Sequence, residues 1–127
     1  MDEKEKPFSL TKRLMSFRYA FRGITQLVKE EPNFRIHIVV AALVIIAGFL
    51  LRISSAEWLI ILLTIGFVLA AESLNSAIEK LCDVVSPEVD ERIKKIKDML
   101  AATVLITAII AVIIGLVIFL PYIADII

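Results

Sequence analysis

Glu72, Asn75, Ser76, Glu79 and Asp83 are the residues of this chain whose types and spacing best suit chemistry. Counted from Glu72 they fall at offsets of 0, 3, 4, 7 and 11. At about 100° per residue every offset returns to within about 60° of the starting direction, so the five project from one helical face. They end an apolar run: from Trp58 to Ala71 only Thr64 is polar. A carboxylate at membrane depth costs about 3 kcal/mol or more, so it turns to a protein interior or a wet cavity and usually serves a function. The bland reading makes Glu79 and Asp83 the solvated end of the helix, paired with Lys80 or loop cations. It is harder to apply to Glu72, which follows fourteen residues of that run.

Two further groups are expected at the same level. Glu31 stands directly before Pro32 at the start of one apolar run, and Lys97-Asp98 stands before another. Carboxylates, a carboxamide and a lysine gathered at one interface can hold a hard divalent cation and a polyphosphate, since magnesium takes oxygen ligands and is often held by one or two carboxylates plus phosphates. The same carboxylates could instead couple protons or cations in a transporter. A P-loop of the GxxxxGK[ST] type, a GxGxxG loop and the HRD and DFG elements are all missing from the sequence, so nucleotide chemistry here would lie outside the usual soluble folds. Cys82 is the single cysteine and His37 the single histidine, which leaves no disulfide and no recognisable zinc site.

These groups must be positioned by elements that lipid tolerates. Of 127 residues, 59% are hydrophobic and 22% charged, and the mean hydropathy is +0.88. Three stretches approach or exceed the roughly 20 residues that a helix needs to cross a bilayer. The first, Ile36 to Ile53, is interrupted by His37 and Arg52; the second, Trp58 to about Leu81, carries the polar face; the third, Met99 to Ile123, holds no charge. Pro121 and Tyr122 close the third, and a tyrosine suits the interface. About 35 residues precede the first run, too many for a signal peptide, so it is read as a retained span. The runs lack the alternation of barrel strands. The expected fold is an all-α integral membrane protein, one domain over 1–127, with an N-terminal amphipathic surface helix (8–29), three transmembrane helices (34–53, 57–81 and 98–122) and a cytoplasmic segment (82–97).

Formal net charge is zero, which removes the argument for a nucleic-acid partner, but the charges are not evenly placed. Residues 1–35 hold eight Lys+Arg and 80–98 hold five, whereas the link between the first two spans contributes only Arg52. The positive-inside rule then puts the N-terminus and the 80–98 segment in the cytoplasm, with the 52–57 link and the C-terminus outside. Leu10, Leu14, Phe17, Phe21, Ile24 and Val28 form one stripe, accompanied by Lys12, Arg13, Arg18, Arg22 and Lys29 with no acid between Glu5 and Glu30. Such a helix suits an anionic membrane surface; the plainer alternative packs it against the spans. Ser86-Pro87-Glu88 reads as a helix start, with Ser as N-cap and Pro at the first helical position.

The run Glu72-Ser73-Leu74-Asn75-Ser76-Ala77-Ile78-Glu79, followed by Asp83 and Lys97-Asp98-Met99 ahead of a third span, resembles the signature of the prokaryotic diacylglycerol kinase/undecaprenol kinase family. The resemblance extends from about Phe17 to Pro121. Asn33-Phe34-Arg35-Ile36-His37, Glu57-Trp58 and the stretch Gly115 to Pro121 are similar to the Gram-positive type, known chiefly as undecaprenol kinases; the enterobacterial type carries an acid at the position of His37. The resemblance implies transfer of the γ-phosphoryl group of MgATP to a lipid alcohol, undecaprenol first and diacylglycerol as the alternative. It implies Glu72 as general base with Asn75 beside the reacting groups, Glu31 and Glu79 as magnesium carboxylates, and Lys97 and Asp98 in contact with ATP. Tyr19, Glu88 and Asp90 fall at further nucleotide positions of the family. Ala101-Ala102 depart from a turn where members often have Ser or Gly. A homotrimer with shared active sites in a bacterial plasma membrane is implied too. A single three-helix unit is also expected to leave much of the Glu72–Asp83 face uncovered, which lipid cannot satisfy. From other classes, a small proton-coupled transporter subunit would show one lone midplane acid, and a non-catalytic adaptor would have no use for the cluster.

Overall fold

The computed structural model describes residues 7–127, in which the chain folds as four helices. Residues 1–6, with two of the basic residues counted above, lie outside the described residues. Helix α1 spans Leu10–Glu30, α2 Pro32–Leu51, α3 Ser55–Val85 and α4 Glu91–Ile126. The last three are each long and apolar enough to cross a membrane.

Each boundary has a chemical cause. Ser9 caps α1 by accepting the Lys12 N–H at 3.3 Å. One residue, Glu31, separates α1 from α2, and Pro32 opens α2 at its first position, where a missing N–H costs nothing. The Arg35 guanidinium reaches back to the carbonyls of Val28 and Lys29, both at 2.9 Å, and satisfies the otherwise open C-terminus of α1. Helix α2 ends at Arg52 in the left-handed region (φ 54°), with the Ile53 N–H donating to the Gly48 carbonyl at 3.2 Å. Ser54 and Glu57 then form a reciprocal capping box that starts α3.

The expected start of the last helix is corrected. Ser86 closes α3, its backbone N–H donating to Cys82, and α4 begins only at Glu91 with Asp90 as its N-cap. Proline restricts the residue before it to extended backbone, and Ser86 sits at φ −142°, ψ 88°. Pro87 therefore acts as a stop for α3 rather than a start for α4. Nor does Pro121 close the last helix, which runs on to Ile126. The proline forgoes one bond, to the Val117 carbonyl, near the end of an otherwise continuous ladder.

Short links make α2, α3 and α4 antiparallel neighbours, with α3 packed most extensively on α4. Ile53, Ile61 and Ile118 form the buried core, flanked by Val44, Trp58, Ile114 and Tyr122. This core lies at the end of the bundle near the α2–α3 link. There the Tyr122 hydroxyl donates to the Glu57 carboxylate, tying the end of α4 to the capping box of α3. Trp58 lies directly on the α2 backbone: a methyl group at Gly48 would stand 2.7 Å from its ring. Gly48→Ala is expected to destabilise the protein by about 1–3 kcal/mol through this overpacking. Gly66→Ala, whose methyl meets nothing within 4 Å, should leave the thermal midpoint in detergent unchanged or slightly raised.

Helix α1 contains no buried residue, and its stripe is uncovered, with Leu14 61%, Phe17 65% and Phe21 67% exposed. Only its C-terminal end, at half-buried Leu27 and Val28, meets α2, so most of the stripe is left unpacked within one chain.

Candidate active site

At the end of the bundle opposite the Ile53 core, three structural pieces meet: the α1–α2 elbow, the last four turns of α3 and the first turns of α4. Burial is graded along the polar face of α3. Glu72 and Ser76 are buried, at 2% and 3% exposure; Asn75 and Glu79 are half-buried, and Asp83 is exposed. A single chain thus encloses the deepest part of the face, contrary to the expectation that one three-helix unit would leave much of it open. From α2, His37 approaches Glu72, and Phe34 one turn earlier is buried.

Glu72 is the unusual group. Its Oε2 and the Oδ1 of Asn75 are buried with no hydrogen-bond partner in the protein. Native interiors seldom leave such atoms unpaired, because each costs about 1–3 kcal/mol. The closest cationic candidate is His37, with Nε2 3.5 Å from Glu72 Oε2. That separation is longer than a hydrogen bond yet too short to admit an intervening atom.

Two ion pairs tie the helices together around this carboxylate. Lys80 Nζ lies 2.5 Å from Glu30 Oε2 and 3.6 Å from Glu31 Oε1, joining α3 to the elbow. Lys97 Nζ lies 2.7 Å from Asp83 Oδ1, joining α4 to α3. Both pairs are largely exposed, so solvent screening leaves each with little effect on stability. Their main effect is to hold oppositely charged groups ready at the rim.

The expected nucleotide residues are distributed unevenly. Glu31 occupies the N-cap position of α2 but makes no capping hydrogen bond, so its carboxylate is not committed to the helix end. Glu79 lies near enough to Lys97 to add to the negative field there. Asp98 is exposed beside Lys97. Glu88 is exposed in the turn between α3 and α4, with its carbonyl accepting the Ser86 hydroxyl. Asp90 is committed locally: it caps α4 and receives the Arg92 guanidinium at 3.0 Å, which holds its carboxyl below the usual range. Tyr19 stands on exposed α1, twelve residues before Glu31, with Arg22 over its ring at 5.8 Å. No contact joins Tyr19, Glu88 or Asp90 to Glu72 among the contacts of the described residues.

Among the described residues, no three His, Cys, Asp or Glu side chains gather closely enough to form a metal cage. The site offers Glu31 and Glu79 instead, two oxygen-donating groups at different elements. That donor set fits magnesium, which completes its shell with phosphate oxygens and water, and does not fit a softer metal.

Below the polar rim lies an apolar cavity of about 410 Å³ between α2, α3 and α4. Val40, Val44, Val68, Leu69, Val112 and Gly115 are among its walls, and His37 lies at the end nearest Glu72. Of its polar lining groups, Thr64 already donates its hydroxyl to the Ile60 carbonyl, which leaves His37 as the only ionisable one.

His37 was not singled out by the sequence as part of the site, and of the pairings considered for Asp83 the structure gives Lys97, while Lys80 turns to Glu30 and Glu31 instead. The signal for His37 was present, since a lone ionisable residue inside an apolar span is a functional candidate.

Comparison with known proteins identifies the family. The family model described as prokaryotic diacylglycerol kinase matches residues 18–119. The chain is 41% identical over 121 residues to the undecaprenol kinase of Bacillus subtilis (strain 168), covering 95% of this chain and 98% of that protein. It is 38% identical over 109 residues to a diacylglycerol kinase of Synechocystis, covering 85% of this chain and 62% of that protein. It is also 30% identical over 103 residues to the diacylglycerol kinase of Escherichia coli K12, covering 81% and 84% respectively. With a family match across most of its length and three helices fit to span a membrane, the chain belongs to the prokaryotic diacylglycerol kinase family and is a lipid kinase.

Proposed function

We propose that this kinase transfers the γ-phosphoryl group of MgATP to the hydroxyl of undecaprenol at the cytoplasmic face of a bacterial plasma membrane. The observation that carries the reading is the buried, unpartnered carboxylate of Glu72 beside the polar end of an apolar cavity. A lipid chain can enter that cavity between helices, which brings its hydroxyl to the level of His37 and Glu72. The 41% identity to the Bacillus subtilis undecaprenol kinase favours the polyprenol as acceptor. Diacylglycerol is the alternative, favoured by the names of the other relatives.

Transfer in this setting needs little covalent participation by the protein. Positioning and charge neutralisation supply most of the rate. Glu72 accepts the hydroxyl proton, and the Asn75 carboxamide, whose Oδ1 has no partner in the protein, is free to orient groups at the reacting centre. Glu31 and Glu79 would hold magnesium, which supplies charge neutralisation on the phosphates. Lys97 is available to phosphate if it exchanges Asp83 for the nucleotide, with Asp98 next to it. Tyr19, Glu88 and Asp90 are the remaining candidates for nucleotide contacts. The bare stripe of α1 with its lysines and arginines supports docking on the anionic inner leaflet. That location agrees with the orientation expected from charge bias. A homotrimer remains the proposed assembly, resting on family resemblance, since one chain already buries Glu72.

Acceptor competition tests the assignment. With undecaprenol and diacylglycerol compared in mixed micelles at equal surface concentration, kcat/KM should favour undecaprenol by about tenfold or more, an advantage within reach of a few extra apolar contacts. A preference for diacylglycerol would assign the other acceptor. The cavity makes a separate prediction. A methyl group on Gly115 would meet nothing within 4 Å, so Gly115→Leu should fold normally while its side chain fills the cavity. Its KM for the lipid is expected to rise about tenfold or more, with KM for MgATP unchanged.

A further inference from the structure

Glu72 has a problem that the reaction itself creates. It is 2% exposed, so a proton it takes from the acceptor has no direct path to water, and a protonated base cannot serve a second turnover. Within 4 Å of its carboxylate, the only basic side chain among the described residues is His37, whose side chain is 23% exposed. His37 also lies on α2 only five residues after Pro32, about 8 Å along the helix from its start and so near the polar boundary of the bilayer. The histidine thus touches the buried base on one side and borders both the cavity and the rim on the other.

We propose that His37 acts through Glu72 as a positioning and relay residue, orienting the carboxylate and carrying its proton to water. The inference rests on Glu72 being the general base. In each turnover, the acceptor oxygen bonds to the γ-phosphorus as the bond from that phosphorus to the bridging oxygen breaks, its electron pair leaving with ADP. The hydroxyl proton passes to the Glu72 carboxylate. Neutral imidazole then accepts that proton, which restores the carboxylate, and the resulting imidazolium releases a proton to water. Imidazole is suited to this step because it gains and loses a proton near neutrality.

The surroundings leave the pair to itself. From α3, the ionisable group within reach of the imidazole is Glu72. Helix α4 presents Ala108, Ala111, Val112, Gly115 and Leu116 to the shared cavity, none of them charged. On α2 the neighbouring charges are committed elsewhere, Arg35 to the carbonyls that end α1 and Glu31 toward Lys80.

The test uses the full chain in mixed micelles with undecaprenol and saturating MgATP, comparing wild type with His37→Gln and His37→Ala. Both variants are expected to lose about a hundredfold in kcat while KM for MgATP stays unchanged. The dependence of kcat on pH should differ between wild type and His37→Gln. Added imidazole should restore His37→Ala by about tenfold or more, and substituted imidazoles should do so in proportion to their basicity. His37→Gln, which leaves no space for the added base, should not respond. Activity of His37→Gln within about twofold of wild type would overturn the relay. So would a slow His37→Ala that no added base restores, because that pattern belongs to a purely structural contact. If wild type forms no lipid phosphate with undecaprenol or with diacylglycerol, it is the lipid kinase reading that fails, and the relay falls with it.

Discussion

Glu72→Gln is expected to lower phosphate transfer by about a thousandfold or more, while MgATP still raises the thermal midpoint as it does in wild type. The substitution keeps the shape of the side chain and removes only its capacity to accept a proton. Because Glu72 is buried and its Oε2 lacks a hydrogen-bond partner, the neutral amide is cheaper to bury than the carboxylate. The fold should therefore be no less stable than wild type. A carboxylate whose task was to hold the bundle together through His37 would behave in the opposite way, losing stability when neutralised. Single-turnover transfer and thermal unfolding with and without MgATP separate the two. Loss of the MgATP response in Glu72→Gln would show that Glu72 serves the nucleotide and that its role as base is misassigned.

Glu79→Gln should fail differently. Glu79 lies two turns further along the same face, half-buried and close to Lys97, where the proposed role of its carboxylate is to hold phosphate-bound metal rather than to meet a lipid hydroxyl. Removing its charge is expected to raise the magnesium concentration needed for half-maximal rate by at least the tenfold to hundredfold that even loss of an outer-shell partner costs, or about 1.4–2.7 kcal/mol. The MgATP-dependent rise in thermal midpoint should shrink accordingly. Magnesium titrations of rate and of thermal midpoint measure both. Glu31→Gln should move in the same direction, with Lys80 still held by Glu30 at 2.5 Å, so that the elbow stays attached to α3. If Glu72→Gln and Glu79→Gln lost nucleotide binding equally, the division between base and metal ligand would be wrong.

What the sequence made legible follows from periodicity and exclusion from water. Three apolar runs of bilayer length announced α2, α3 and α4, and the stripe from Leu10 to Val28 announced a surface helix, because these patterns repeat along one chain segment and need no partner. The shared direction of Glu72, Asn75, Ser76, Glu79 and Asp83 was likewise a property of one helix. What required the fold was everything that depends on the register between helices. The approach of His37 to Glu72 is set by how α2 lies against α3, and no spacing within either helix encodes it. Burial of Glu72 and Ser76 inside one chain depends on the same packing, which is why the polar face was expected to lie more open than it does. The misread boundary at Ser86-Pro87 has a local cause: one proline satisfies the pattern of a helix start and of a helix stop. Asp90, two residues before Arg92, supplied the competing cap.

The proposed reaction is direct transfer of a γ-phosphoryl group onto a membrane alcohol at the polar end of this bundle. It is tested most directly by incubating the wild-type chain in mixed micelles containing undecaprenol, with ATP labelled in parallel at the γ or the α phosphate, in the presence and absence of magnesium. Label is expected in the lipid phase from γ-labelled ATP only, dependent on magnesium and lost in Glu72→Gln. Lipid label from the α position, or none from either position with undecaprenol and diacylglycerol alike, would contradict it.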